Sequence, residues 1–136
     1  MSRRVAREVA MKLVFAQLFD GGDTYDAVLE KSGIDDTPTE DDLEFSEALV
    51  TGIDENSEAI DALINEAAYE WSSDRMSKVD YSILRIAVYE MCYRDDIPVN
   101  VSINEAVELA KHFGGEKSPA FINGLLGTIA RKTSGE

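Results

Sequence analysis

The chain holds one cysteine, Cys92, one histidine, His112, and three prolines among 136 residues. A lone cysteine excludes an internal disulfide and any cysteine cluster for a metal. His112 has no histidine or cysteine at ligand spacing, so no metal site is expected. No apolar run approaches the about 18 residues that a membrane-spanning helix needs. No uninterrupted apolar stretch follows the basic start, which argues against a secretory signal. An arginine-rich start can mimic a transit peptide, but this one merges directly into a helical pattern. GxSxG, P-loop and dinucleotide signatures are missing. The acidic runs at 35–44 and 54–61 read most simply as solvated helix faces and caps. The expectation is therefore a cytoplasmic protein without enzymatic activity, cofactor or membrane contact.

Positive charge is also scarce over most of the chain. Residues 13–74 carry 18 acids and one base, Lys31, while 75–136 balance at eight of each. The first twelve positions reverse this, with Arg3, Arg4, Arg7 and Lys12 against Glu8. The regional charges of +3, −17 and 0 give a chain of net charge −14. The average says that nucleic acid is repelled; the local pattern says that one small patch is kept positive for an anionic partner.

Strict alternation of apolar and polar residues is nearly absent, and helical spacing is almost everywhere. The pattern predicts a first helix over 3–19 (Ala6, Ala10, Leu13, Val14, Gln17) and a short one over 24–31. A linker follows over 34–38. Thr39-x-x-Asp42 resembles a capping box that opens a third helix with Leu43, Ala48, Leu49 and Ile53. A break falls near Asn56-Ser57, and Ile60, Leu63, Ile64, Ala67 and Ala68 form a fourth stripe ending at Trp71. Ser77-x-x-Asp80 caps a helix over 78–94 that is apolar almost all round and hence central. Glu90 falls on its apolar side and needs a buried partner. Ser102-x-x-Glu105 reads as the clearest capping box of the chain, starting a helix that Gly114-Gly115 stops. Ser118 as N-cap and Pro119 at N1 start the last helix, with Ile122, Leu125, Leu126 and Ile129 on its inner face. About seven helices with short loops make an all-α compact bundle. By length, residues 1–136 form one domain.

Arg3, Arg4 and Arg7 share a helix face. Cations at a helix N-terminus oppose the macrodipole, at a cost of roughly 0.3–1 kcal/mol each, so stability alone does not place them there. They read as an anion site, with nucleic acid the leading ligand. The plainer alternative is a solvated terminus whose arginines pair with the acidic body. A second candidate is the turn at Lys111, Gly114-Gly115, Lys117 and Ser118, where a helix N-terminus and lysines suit a phosphate; capping alone also explains Ser118. Phe121, at the margin of the last apolar stripe, is placed to stack on an unpaired base or to close the core edge.

Three blocks, taken together, resemble the NusB transcription antitermination family: SRRVAREVAMKLVFAQ (2–17), ILRIAVYEM (83–91) with Asp80 before it, and PVNVSINEAVELAKHFGGEKSPAFINGLLGTIAR (98–131). The likeness runs in order over almost the whole chain and is loose over 20–70. It implies an all-helical fold of two packed helical subdomains and one NusB-like RNA-binding domain over 1–136. It further implies binding of boxA-type single-stranded RNA from ribosomal RNA leaders, jointly with the ribosomal protein NusE, in a complex that joins elongating RNA polymerase with other Nus factors. By position, the resemblance assigns Arg3, Arg4 and Arg7 to RNA phosphates, and Gly115, Glu116, Lys117, Ser118 and Phe121 to an RNA-facing loop. Phe15 and Asp80 match the NusE-facing surface. The loop position held by Lys117 can be acidic in relatives, and a lysine there favours RNA.

Three or four phosphate contacts on a single strand imply a salt slope of roughly −2 to −3, that of a weak binder on its own. A basic partner that adds contacts would give tighter joint binding, and the acidic body would hold it; solubility explains part of that acidity equally well. Two other functions fit the residues. One is a helical adaptor for a basic protein without RNA. The other is a relative of the NusB-like region of RNA cytosine methyltransferases, which is disfavoured because no methyltransferase domain follows Glu136. A monomer and a homodimer both remain open.

Overall fold

The computed structural model describes residues 3–17, 39–70 and 76–133. Among them the helical periodicity is realised as six α-helices and no strand: α1 (Arg3–Gln17), α2 (Glu40–Glu55), α3 (Ser57–Glu70), α4 (Lys78–Tyr93), α5 (Val99–Phe113) and α6 (Ser118–Thr133). The helix expected over 24–31, the linker over 34–38 and Trp71 lie outside the described residues. None of the described helices is long and apolar enough to cross a membrane.

Two starts follow the sequence signals. The Thr39 hydroxyl accepts from the Asp42 amide at 3.1 Å, and the Asp42 carboxylate accepts from the Thr39 amide at 3.1 Å. This reciprocal box satisfies two otherwise orphaned donors. Ser77 likewise accepts from the Asp80 amide at 3.0 Å. The break at Asn56 is held by its own side chain, whose Nδ2 donates to the Gly52 carbonyl at 2.8 Å.

Two other starts differ from expectation. The fifth helix opens four residues earlier than its apparent capping box, with Pro98 as N-cap and Ser102 buried inside the helix. Pro98 lacks an N–H and fixes its φ near −60°, so it is well suited to open a helix. The Ser102 hydroxyl, not needed as a cap, donates to Glu90 at 2.8 Å. Ser118 sits at the start of α6, but its hydroxyl turns back to accept from the Gly115 amide at 2.9 Å, bracing the turn rather than capping the helix.

Helix α4 packs against each of the five other described helices. This is the central position that its near-continuous apolar surface demands. Ile83, Leu84, Ile86, Ala87 and Val88 are buried there. They meet Ala6, Ala10 and Val14 of α1, Leu49 and Ile53 of α2, Ile60 and Ile64 of α3, Ala106, Leu109 and Ala110 of α5, and Ile122, Leu125, Leu126 and Ile129 of α6 in one core. In α2 the inner stripe runs through Phe45, while Ala48 is exposed. Gly52 lets α2 approach α4 closely, because a Cβ there would overlap the Tyr89 ring.

Candidate nucleic-acid interface

The three N-terminal arginines of α1 fan out to three different helices. Arg3 Nη1 donates to Asp41 Oδ2 of α2 at 2.9 Å. Arg4 forms a two-pronged pair with Glu105 of α5, Nε to Oε1 at 3.2 Å and Nη2 to Oε2 at 2.9 Å. Arg7 turns inward to Glu90 of α4, with Nε to Oε2 at 2.7 Å and Nη2 to Oε1 at 3.0 Å. Its Nη1 also lies 3.8 Å from Glu105. Arg7 is 5% exposed and Glu90 1%, and Ser102 supplies the carboxylate with a further donor. Glu90 thus has the buried partner that its place on the apolar side of α4 requires. Arg7, expected at a phosphate, instead places its charge in the interior, because a buried carboxylate left alone costs far more than a surface cation gains.

Arg3 and Arg4 keep substantial exposure and line an open cleft of about 450 Å³ together with Arg7, Phe45, Arg94, Asp96, Ile97, Pro98, Val101 and Glu105. Phe45 is the hub. The guanidinium carbons of Arg3, Arg94 and Arg7 stand 4.4, 5.0 and 5.6 Å from its ring centroid. The ring face attracts cations, and here it gathers three against their mutual repulsion. Arg94, just past the end of α4, forms its own two-pronged pair with Asp96 at 3.0 and 2.9 Å. That hydrogen bond raises the basicity of Arg94 and holds the Asp96 carboxyl below the usual carboxylate range. The bonds that Arg4 donates to Glu105 raise its basicity in the same way. The arginines therefore pair with acids, as in the plainer of the two sequence readings, and also line a cleft that one anionic strand could enter.

Sequence reasoning did not find Phe45 or Arg94. Phe45 has a signal, since it lies on the helical repeat with Leu49 and Ile53. Its role depends on α1 packing across α2, which no local pattern reveals.

Lys117, Ser118 and Phe121 do not line this cleft. Lys117 and Glu116 are exposed in the turn before α6, Ser118 is buried and Phe121 is half-buried against the core. The two sets are joined along α5. Arg4 meets Glu105, and two turns further Lys12 stands 4.9 Å from the Phe113 ring centroid. The same offset in both pairs means that α1 and α5 run in one direction, along a seam bridged by long side chains. Eight helical residues span about 12 Å, so the seam leads from the arginine cleft to the turn carrying Gly115, Glu116 and Lys117.

Of the two residues expected to face a protein partner, Phe15 is half-buried in the last turn of α1. Asp80 lies in the first turn of α4, 8% exposed, and its Oδ1 has no hydrogen-bond partner among the described residues. An acid there is favoured by the helix dipole.

Among the described residues the fold and site define an all-helical protein with an arginine-lined cleft, a class suited to an anionic ligand. Comparison with known proteins narrows this. Residues 4–131 match the model of the NusB family. The transcription antitermination protein NusB of Acetivibrio thermocellus is 46% identical over 131 residues, covering 96% of this chain and 90% of the relative. A crystal form of T. maritima NusB superposes with a TM-score of 0.81 at 37% identity, covering 97% of this chain and 92% of that one. A crystal structure of antitermination factors NusB and NusE with double-stranded RNA matches with a TM-score of 0.77 at 25% identity over 96% of each chain. The chain belongs to the NusB family.

Proposed function

We propose that this protein is a transcription antitermination factor that binds boxA-type RNA of ribosomal RNA transcripts together with NusE, joins the elongating RNA polymerase with other Nus factors, and works in the cytoplasm as a binding protein rather than an enzyme. The observation that carries the reading is the arginine cleft: Phe45 holds Arg3 and Arg94 at one rim, with Arg4 beside them on Glu105, on a chain whose net charge of −14 repels nucleic acid elsewhere. Family membership and the solved relative with NusE and RNA support the same ligands.

In this reading Arg3, Arg4 and Arg94 contact phosphates, and Arg7 positions them from below by tying α1 to α4 and α5. The strand follows the α1–α5 seam to Lys117 and Ser118, with Phe121 beside a base. Phe15 and Asp80 face NusE, and the acidic body draws that basic protein in. Phe45 is 7% exposed beneath its arginines, so the cleft reads backbone charge, and base recognition belongs to the α6 end.

The test is RNA binding with and without NusE. Arg3→Ala with Arg4→Ala should lower affinity for boxA RNA at least tenfold, since charge-assisted contacts are worth about 1.5–3 kcal/mol each. Asp80→Asn should weaken NusE binding and leave the RNA affinity of the free protein intact. A scrambled single strand and a duplex complete the set. Unchanged affinity of the arginine variant would remove the cleft from the RNA site. Equal binding of the scrambled strand at physiological salt would remove the claim of sequence specificity.

A further inference from the structure

We infer that Asp41, Glu105 and Asp96 occupy the phosphate positions of the arginine cleft, so that RNA binds by displacing carboxylates built into the protein. The inference rests on the proposal above that the cleft takes RNA phosphates, and it adds how the site is regulated. Each rim arginine carries a carboxylate: Arg3 that of Asp41 at 2.9 Å, Arg4 that of Glu105 at 3.2 and 2.9 Å, Arg94 that of Asp96 at 3.0 and 2.9 Å. For Arg4 and Arg94 the geometry is the two-pronged fork that a guanidinium also offers to phosphate. The three acids come from α2, α5 and the segment between α4 and α5, so the pattern is not the accident of one acidic run.

Exposure separates the displaceable pairs from the fixed one. Asp41 and Asp96 are 60% and 63% exposed, and Glu105, 19% exposed, is reached through an Arg4 that is 50% exposed. Such pairs are weak in water, and a released carboxylate rehydrates. The Arg7–Glu90 pair is closed off from solvent and stays. Arg3 and Arg94 do not leave with their acids, because the Phe45 ring retains them at 4.4 and 5.0 Å. A single anion gains little by the exchange. A strand that offers several phosphates in a row replaces all three acids at once, so the gate sets a threshold that isolated anions do not pass.

The experiment compares boxA RNA affinity of the full chain for the wild type, Glu105→Gln, Asp41→Asn and Asp96→Asn. Glu66→Gln serves as control; it removes the same charge from a pair with Lys132 on α6, away from the cleft. Each gate variant should bind RNA about two- to fivefold more tightly, as expected for loss of a weak competing pair, and Glu66→Gln should change affinity clearly less. Asp41 and Asp96 are exposed enough for their variants to fold normally even where Glu105→Gln loses stability, and thermal melting monitors this. Equal tightening by Glu66→Gln makes the effect one of net charge and overturns the gate. No tightening by any gate variant, while Arg3→Ala with Arg4→Ala still loses RNA, overturns the gate and leaves the cleft standing. No loss with the arginine variant overturns both.

Discussion

Arg7 and Glu90 meet at 2.7 Å in the interior, with Ser102 donating to the same carboxylate. The three side chains tie α1, α4 and α5 together at one point. Breaking a buried pair by removing one partner leaves an uncompensated charge and costs about 3–5 kcal/mol, whereas replacing the whole set with apolar groups is often neutral. Arg7→Ala should therefore lower unfolding stability by about 3–5 kcal/mol in urea titration. Arg7→Met combined with Glu90→Leu and Ser102→Ala should recover most of it. A mild loss for Arg7→Ala would mean that the pair is hydrated and not structural. The sequence makes half of this legible: Glu90 on an apolar face announces a need for a partner. It does not name the partner, because Arg7 is 83 positions away and looks like one of three equivalent surface arginines.

At the scale of elements, features that rest on local chemistry were legible in the sequence. The Thr39 and Ser77 starts and the Asn56 break depend on neighbours within a few residues, and the central place of α4 is written in the apolar pattern of its own surface. Features that rest on contacts between helices were not. Ser102-x-x-Glu105 has the spelling of a capping box, yet both side chains serve α4 and α1 instead. Phe45 gathers arginines from α1 and from beyond α4, a role no single helix shows. The approach of α2 to α4 at Gly52 is likewise invisible in sequence and gives a sharp prediction. Gly52→Ala gains helix propensity but forces a methyl group into the Tyr89 ring, which stacks on Tyr93 at 5.4 Å. Overpacking of this kind costs about 1–3 kcal/mol, so the variant should be destabilised in thermal or chemical unfolding. Adding Tyr89→Phe should not rescue it, since ring atoms as well as the hydroxyl overlap.

Over the whole molecule, the contrast between a short basic start and an acidic body divides the labour of binding. In the proposed function, three rim arginines make a weak RNA site by themselves. The 18 acids of residues 13–74 are suited to hold a basic partner that brings further phosphate contacts. The resemblance in sequence pointed to this joint site; in the proposed function its basic half is the cleft where one aromatic ring gathers Arg3, Arg7 and Arg94 and three carboxylates pair with Arg3, Arg4 and Arg94. The most direct measurement is a salt titration of boxA RNA binding by this protein, alone and with NusE. Three phosphate contacts on a single strand predict a log–log slope of about −2 for the protein alone. Binding with NusE should be tighter, with a steeper slope. An affinity and slope that NusE leaves unchanged would contradict the joint site, and binding insensitive to salt would contradict the arginine cleft.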